Sequence, residues 1–457
     1  MSITHTIDVR GAIDAGPFGR YQKYLLSICC LIMFVDGFDT GAISAAAPYL
    51  ARELGLQPSQ LGIVFAAATL AGALAGFFVS QLADRVGRRP LMVACLLVVA
   101  LLCPWYAVAE TYPFLLLLRV IAGFVLAVLI SSTFSYAADI TPKRLGTSAV
   151  MFATCGFGLG VAFGGVAATF LAPEFGWRSL FYFGGAASLV LAVFTATCIP
   201  ESVRFLALRK DKTAAVRSFL RSALPHLPVS DSATFTLDEE KQERWTLGNL
   251  LAGSRAVEVP LLWLVAFFIN LNVWFMVQWL PTMVSEAGAS ESTTSNTLTL
   301  FKVGGILGSF ICAFMMDRGR NPFWILVVFL FLSAASFYSL QGLGGPAFAL
   351  LVAVFACGLV LSGPQYAVNG LLATIFPTYV RAAGLGMTGG ISRLGAMTGP
   401  LLVGYLLQAG LGPSTLLKMA ALPMLFCSLV LLFLALKRRR ASQGNQPMRE
   451  GGEGRAT

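Results

Sequence analysis

Long apolar stretches recur from one end of the chain to the other, and this recurrence limits the fold more than any other feature. A helix needs about 20 apolar residues to cross hydrocarbon. Within lipid only helices and closed barrels satisfy every backbone polar group. The chain has 457 residues, 57% of them hydrophobic and 12% charged. Its apolar stretches give twelve expected spans, at 21–47, 60–82, 91–109, 113–136, 147–171, 180–199, 260–285, 295–316, 323–341, 347–373, 384–408 and 415–436. The fold class this predicts is an all-α membrane protein.

The basic residues orient that map. Of the 32 Lys and Arg, Arg119, Lys302 and Arg393 fall inside spans and Arg52, Arg178 and Lys418 fall outside. All the others lie in segments that are cytoplasmic if the N-terminus is, so the positive-inside rule places both termini in the cytoplasm. The net charge of +10 therefore sits on inner loops and on the run Lys437-Arg438-Arg439-Arg440. There it faces anionic lipid, and nucleic acid is not needed as a partner. All nine cysteines fall within expected spans, which argues against a disulfide framework.

The chain reads as two halves. Asp84-Arg85-Val86-Gly87-Arg88-Arg89-Pro90 follows the second span, and Asp317-Arg318-Gly319-Arg320-Asn321-Pro322 follows the eighth. Pro142-Lys143-Arg144-Leu145-Gly146 follows the fourth, and Pro377 with Arg381 and Gly384 follows the tenth. Repetition at half the chain length implies two six-helix bundles, 1–199 and 260–437. Between them lies a polar connection, 200–259, read as a tether with a short surface helix; 438–457 is a cytoplasmic tail.

The run from Asp84 to Arg89 and its weaker copy at Asp317 resemble the cytoplasmic signature of the major facilitator superfamily. A narrower resemblance rests on Asp36-Gly37-Phe38-Asp39 in span one, Pro200-Glu201-Ser202-Val203-Arg204-Phe205-Leu206 after span six, Trp279-Leu280-Pro281 in span seven, and Arg393 to Pro400 in span eleven. Together these look like the aromatic acid:proton symporter family. That resemblance implies uptake of small aromatic carboxylates such as hydroxybenzoates, benzoate or phenylpropionates, driven by protons across a bacterial inner membrane. Protons would be the coupling ion, with no cofactor.

Symport of an anion with a proton needs a titratable carboxylate, a cation for the substrate, and a gate on each side. Asp36 and Asp39 lie three residues apart in span one, hence on nearly one helix face, and two close carboxylates in low dielectric do not both ionise easily. A charge at mid-bilayer costs about 2.5–3.5 kcal/mol on insertion scales, so the pair is expected to carry the proton. Arg119 either pairs with these aspartates or snorkels to the surface. Arg393, flanked by glycines, is the first choice for the substrate carboxylate, since a guanidinium grips it in bidentate fashion. A gate role is its alternative. The family tends to carry a neutral polar residue where this chain has Lys302, which either adds a charge to the cavity or lies nearer the outer surface.

Asn270, Asn272, Trp274 and Gln278 in span seven, with Gln365, Tyr366 and Asn369 in span ten, supply flat walls and aimed donors for an aromatic ring. Around Gly87, the charges Asp84, Arg85, Arg88 and Arg89 are expected to pair with Asp139 and Arg144. Asp317, Arg318 and Arg381 would do the same in the second half, closing a cytoplasmic gate.

Competing readings share the fold. A proton-driven exporter of drugs or metabolites usually carries a Gly-Pro step in span five, whereas Gly156 to Gly165 is glycine-rich without proline. A symporter of non-aromatic organic acids is the other alternative. An enzyme is disfavoured: the only histidines, His5 and His226, lie outside the spans, and no catalytic or metal pattern appears.

Overall fold

The computed structural model describes residues 6–209, 212–226, 233–236, 247–253, 255–318, 321–342 and 345–444. The side chains of 77–81, 84, 147, 247, 378, 379, 382 and 440–444 lie outside that description. Twelve helices of 18 residues or more run through the described residues. In the first half they are α1 Arg20–Glu53, α2 Pro58–Val86, α3 Arg88–Ala107, α4 Tyr112–Ile140, α5 Gly146–Phe175 and α6 Arg178–Cys198. In the second they are α7 Arg255–Glu286, α8 Glu291–Asp317, α9 Pro322–Ser339, α10 Ala347–Ile375, α11 Thr378–Gln408 and α12 Pro413–Gly444. Each expected span falls on one of them, and most helices run several residues beyond it.

By length and composition, 11 of these helices suit a membrane crossing. The exception is α11, which has the length but carries Arg381, Arg393 and seven glycines, so its span rests on its place in the bundle. Local chemistry sets the helix starts. Proline opens α2, α9 and α12, where a missing N–H costs nothing. Ser290 caps α8 and Asn321 caps α9 by accepting backbone N–H groups.

The main packing pairs repeat with an offset of six: α1 with α5, α2 with α4 and α3 with α6, then α7 with α11, α8 with α10 and α9 with α12. Lipid gives helices little hydrophobic reason to associate, so close backbone approach through small residues carries the pairing. A β-carbon on Gly37, Gly156 or Gly160 would collide with a carbonyl of the facing helix in the α1/α5 pair. Gly395 and Gly399 do the same against α7, and Gly304, Gly308 and Gly358 do so between α8 and α10. Two main seams, α2/α11 and α5/α8, join the halves, with a smaller contact between α1 and α7.

The 200–259 connection is more than the tether expected. Its Thr234–Thr236 strand pairs in parallel with Thr6–Asp8 near the N-terminus. The helix Thr213–Ala223 sets Phe219 against Tyr21, their rings 6.1 Å apart. Both segments pack beneath the first half. The acidic run at 238–240 lies outside the described residues.

Candidate functional site

The glycine contact that draws α1 onto α5 leaves the aspartates to face their own bundle. Asp36 and Asp39 are only 5% and 6% exposed. Asp39 accepts from Arg119 of α4, with Nη1 3.1 Å from Oδ2, and both side chains are buried. Beyond Asp39 a small gap is bounded by Val99 and Cys103 of α3 and by Leu180, Gly184 and Ser188 of α6. Asp39 thus points into the first half, away from the seams. Arg119 pairs with an aspartate, as one of the two sequence readings had it. Asp36 makes no hydrogen bond or ion pair among the described residues.

Lys302 lies midway along α8. Its ammonium is 5.8 Å from the centroid of Phe301 and 6.0 Å from that of Phe157. Phe157 belongs to α5 and also meets Trp274 of α7, centroid to centroid 6.2 Å. A cation and aromatic faces from both halves therefore converge midway along these helices, away from the helix ends. No acidic side chain pairs with Lys302 among the described residues.

Arg393 departs from expectation. It is exposed rather than buried, because its level of α11 lies inward of the tight α2/α11 contact. A β-carbon on Gly76 of α2 would stand 3.4 Å from its Nη1, so it borders that seam. It too has no acidic partner among the described residues.

The polar candidates divide. Gln365 donates to Asn270 at 2.9 Å, joining α10 to α7. Asn272 and Gln278 are buried, each with a side-chain carbonyl oxygen left without a partner. Tyr366 and Asn369 are exposed on α10.

The two ends of the molecule differ. Four hydrogen bonds between the halves lie from mid-depth to the end away from the termini. These are Arg52 to Ser285 at 3.0 Å, Gln408 to Gln57 at 3.0 Å, Thr169 to Asn296 at 3.3 Å and Thr299 to the Ala162 carbonyl at 3.0 Å. Gly62 and Gly404 bring α2 and α11 into backbone contact there. Towards the termini, Gly386, Gly389 and Gly390 of α11 have no neighbour a β-carbon would meet. The conformation is closed at the far end and open at the end bearing the termini.

The expected gate charges are organised within the first half only. Arg88 lies 3.7 Å from Asp139, whose carboxylate also accepts from Ser202 at 2.5 Å. Glu201 accepts the backbone N–H groups of Arg88, Arg89 and Ser202 at 2.9, 3.2 and 2.8 Å, so it caps α3 from a distant loop. Gly87 makes room for that carboxylate at φ +104°, a conformation that favours glycine. Arg89 donates to the Ala196 carbonyl, the Arg85 carbonyl accepts from Arg209, and Arg144 donates to the Gly16 carbonyl. The Asp84 side chain lies outside the described residues. In the second half the expected pairing is absent among the described residues: Asp317 is exposed, Arg318 lies over Phe314 at 4.3 Å, and Arg381 reaches the Phe376 carbonyl at 3.4 Å. The open end at the termini leaves these charges to water.

Sequence reasoning used Glu201 and Ser202 only as family markers and missed their place in this network. An acid directly after a helix-ending proline was the available signal, but its partner helix begins more than a hundred residues earlier. Phe157 was missed as well, as one phenylalanine among 35.

Comparisons with known proteins agree with this architecture. The family model described as Major Facilitator Superfamily matches residues 29–282 and 262–456. The chain is 32% identical over 400 residues to the 4-hydroxybenzoate transporter PcaK of Pseudomonas putida, covering 87% of this chain and 89% of that one. It is 30% identical over 445 residues to the gallate transporter of Pseudomonas putida, covering 95% and 97%. Among solved structures, a D-xylose-proton symporter superposes with a TM-score of 0.67 at 17% identity, covering 90% of this chain and 97% of that one.

Proposed function

Because the chain belongs to the major facilitator superfamily, and so is a multi-pass membrane transporter rather than an enzyme, we propose that it takes up small aromatic carboxylates together with protons. In this reading the halves 1–199 and 260–437 rock about the bound cargo, joined by the connection 200–259, with that connection and the tail 438–457 in the cytoplasm. The names of the 4-hydroxybenzoate and gallate relatives support the aromatic acid.

The observation that carries the reading is which buried charges lack a partner. Arg119 forms its ion pair with Asp39, whereas Asp36, which lies beside that pair and also feels the charge of Arg119, and Lys302 form no ion pair among the described residues. An unpaired charge at this depth costs about 2.5–3.5 kcal/mol or more, and the two cation–π contacts of Lys302, near the outer limit of about 6 Å, return only part of it. A proton on Asp36 and a carboxylate on Lys302 remove both deficits together. The aromatic ring then rests against Phe157 and Trp274, a contact worth about 0.5–1.5 kcal/mol beyond area burial. Binding of proton and anion is thereby coupled, since either alone leaves an excess charge when the site closes.

The steps follow. With the far end open, Asp36 takes a proton from the proton-rich side and the acid enters to Lys302. The halves close over it and open towards the termini, the conformation seen here. The acid leaves past Arg393, and Asp36 releases its proton to the cytoplasm. Asn270 and Gln365 hold α7 to α10 while the wall moves.

The test is uptake of a labelled panel of aromatic acids, benzoate, 4-hydroxybenzoate and isophthalate, into proteoliposomes with an imposed inward proton gradient. With one proton per acid, a gradient of one pH unit supports about tenfold accumulation. A protonophore should abolish it. Accumulation that ignores the gradient, or none of any acid, would end the symport reading.

A further inference from the structure

Three cations lie within the spans, and the structure commits only one of them. Arg119 belongs to Asp39. Lys302 stands at the α5/α8 seam, its ammonium between Phe157 and Phe301. Arg393 stands at the other seam, α2/α11, beside Gly76. Neither has an acidic partner among the described residues, where the ion pairs are Arg10 and Lys143 with Asp14, Arg88 with Asp139, Arg119 with Asp39, Arg178 with Glu53, and Arg438 with Glu258. The remaining unpaired charge at this depth is Asp36.

Charge neutrality of the closed, loaded carrier then selects the cargo. With a proton on Asp36, the uncommitted charges are the two cations. An acid with one carboxylate leaves one of them unpaired as water is excluded. An acid with two carboxylates pairs both, one at each seam, and places its ring against the Phe157 and Trp274 faces beside Lys302. A guanidinium suits bidentate carboxylate binding, whereas the ammonium of Lys302 acts as a point charge on a flexible stem. We propose that the preferred substrate of this carrier is a dianionic aromatic acid, a single ring bearing two carboxylates, held by Lys302 at one end and Arg393 at the other.

This inference rests on the transport reading above and deepens it. Closing the structure around the ligand is part of the claim: Arg393 is exposed in the conformation described, and it reaches the second carboxylate as the open end narrows along α2/α11. The same balance gives Lys302 the role of specificity determinant. Without its charge, Arg393 alone remains for the cargo, and the second carboxylate is left without a partner.

The experiment uses the full chain in proteoliposomes under one fixed proton gradient. Uptake of labelled isophthalate, with two carboxylates, is compared with that of labelled benzoate, with one. The expected wild-type result is preferential accumulation of isophthalate, with unlabelled benzoate competing about tenfold more weakly or worse, as the loss of a charged contact implies. Lys302→Gln should lower isophthalate uptake by about tenfold or more and benzoate uptake by a smaller factor, so that the preference for isophthalate is lost. Lys302→Arg, which keeps the charge, should retain the isophthalate preference and shows that the site tolerates substitution. The inference is overturned if wild type prefers benzoate, or if Lys302→Gln lowers both acids equally. If wild type accumulates benzoate under the gradient and refuses isophthalate, only this inference fails. If it accumulates no acid, the transport reading falls with it.

Discussion

The two halves hold their charges in opposite ways. In the first half Asp39 and Arg119 meet inside a packed core between α1 and α4, with Asp36 buried beside them and outside the ion pair. In the second half Lys302 and Arg393 have no acidic partner among the described residues and stand at the seams, against aromatic or open surfaces. Equivalent pairing of helices has thus been given unequal chemistry. A fixed internal ion pair with one spare carboxylate suits a group that must change protonation within a rigid frame. Cations at moving seams suit groups that must reach and release a cargo. On the proposed reading, this contrast gives the proton to the first half and the substrate to the second.

The largest expected effect comes from breaking the paired centre. Arg119→Ala strands Asp39 in the core, and removal of one partner from a buried ion pair costs about 3–5 kcal/mol. Thermal unfolding in detergent should show that loss, together with loss of uptake. The double variant Arg119→Gln with Asp39→Asn should regain stability, because both charges leave together. A single variant as stable as wild type would show that the pair is not the structural centre described here.

Next in size is the unpaired carboxylate. Asp36→Asn removes the proton site without stranding a charge, so accumulation should collapse from about tenfold per pH unit of gradient to equilibration. Exchange of internal for external substrate should persist. Asp39→Asn should lose both, since it also abandons Arg119. If Asp36→Asn still concentrates substrate, the proton is carried elsewhere and the division between halves fails.

How much of this was readable in advance follows from the range of each interaction. Spans are set by local composition, so all twelve helices coincide with expected stretches. The aspartate pair was visible because a charge in an apolar run is conspicuous whatever surrounds it. Its asymmetry was not visible: Asp36 and Asp39 look equivalent until α4 arrives with Arg119 on one of them. Arg393 sits in an apolar run as Lys302 does, yet it is exposed because seam geometry, not sequence neighbourhood, decides access. The N-terminal strand pairs with residues more than two hundred positions away, and three residues of alternating threonine carry no signal of their own.

The smallest effect expected tests whether the loop network of the first half is scaffold or switch. Glu201 gathers the N–H groups that open α3, and its carboxylate lies at the positive end of that helix. Glu201→Gln keeps an oxygen in the same place and removes only the charge, so the loss should be about 0.3–1 kcal/mol, as for an exposed charge near a helix terminus. Because Asp139 is already shared by Arg88 and Ser202, the network should survive with Gln in place and uptake should change by no more than about threefold. Gly87→Ala at the neighbouring position is the contrast: it crowds the carboxylate and forces a left-handed backbone on a residue with a β-carbon, so it should cost more than the loss of the charge. If the charge change instead abolished transport while leaving thermal stability intact, Glu201 would be acting in the rocking step, and the first half would carry a moving part as well as a fixed proton site.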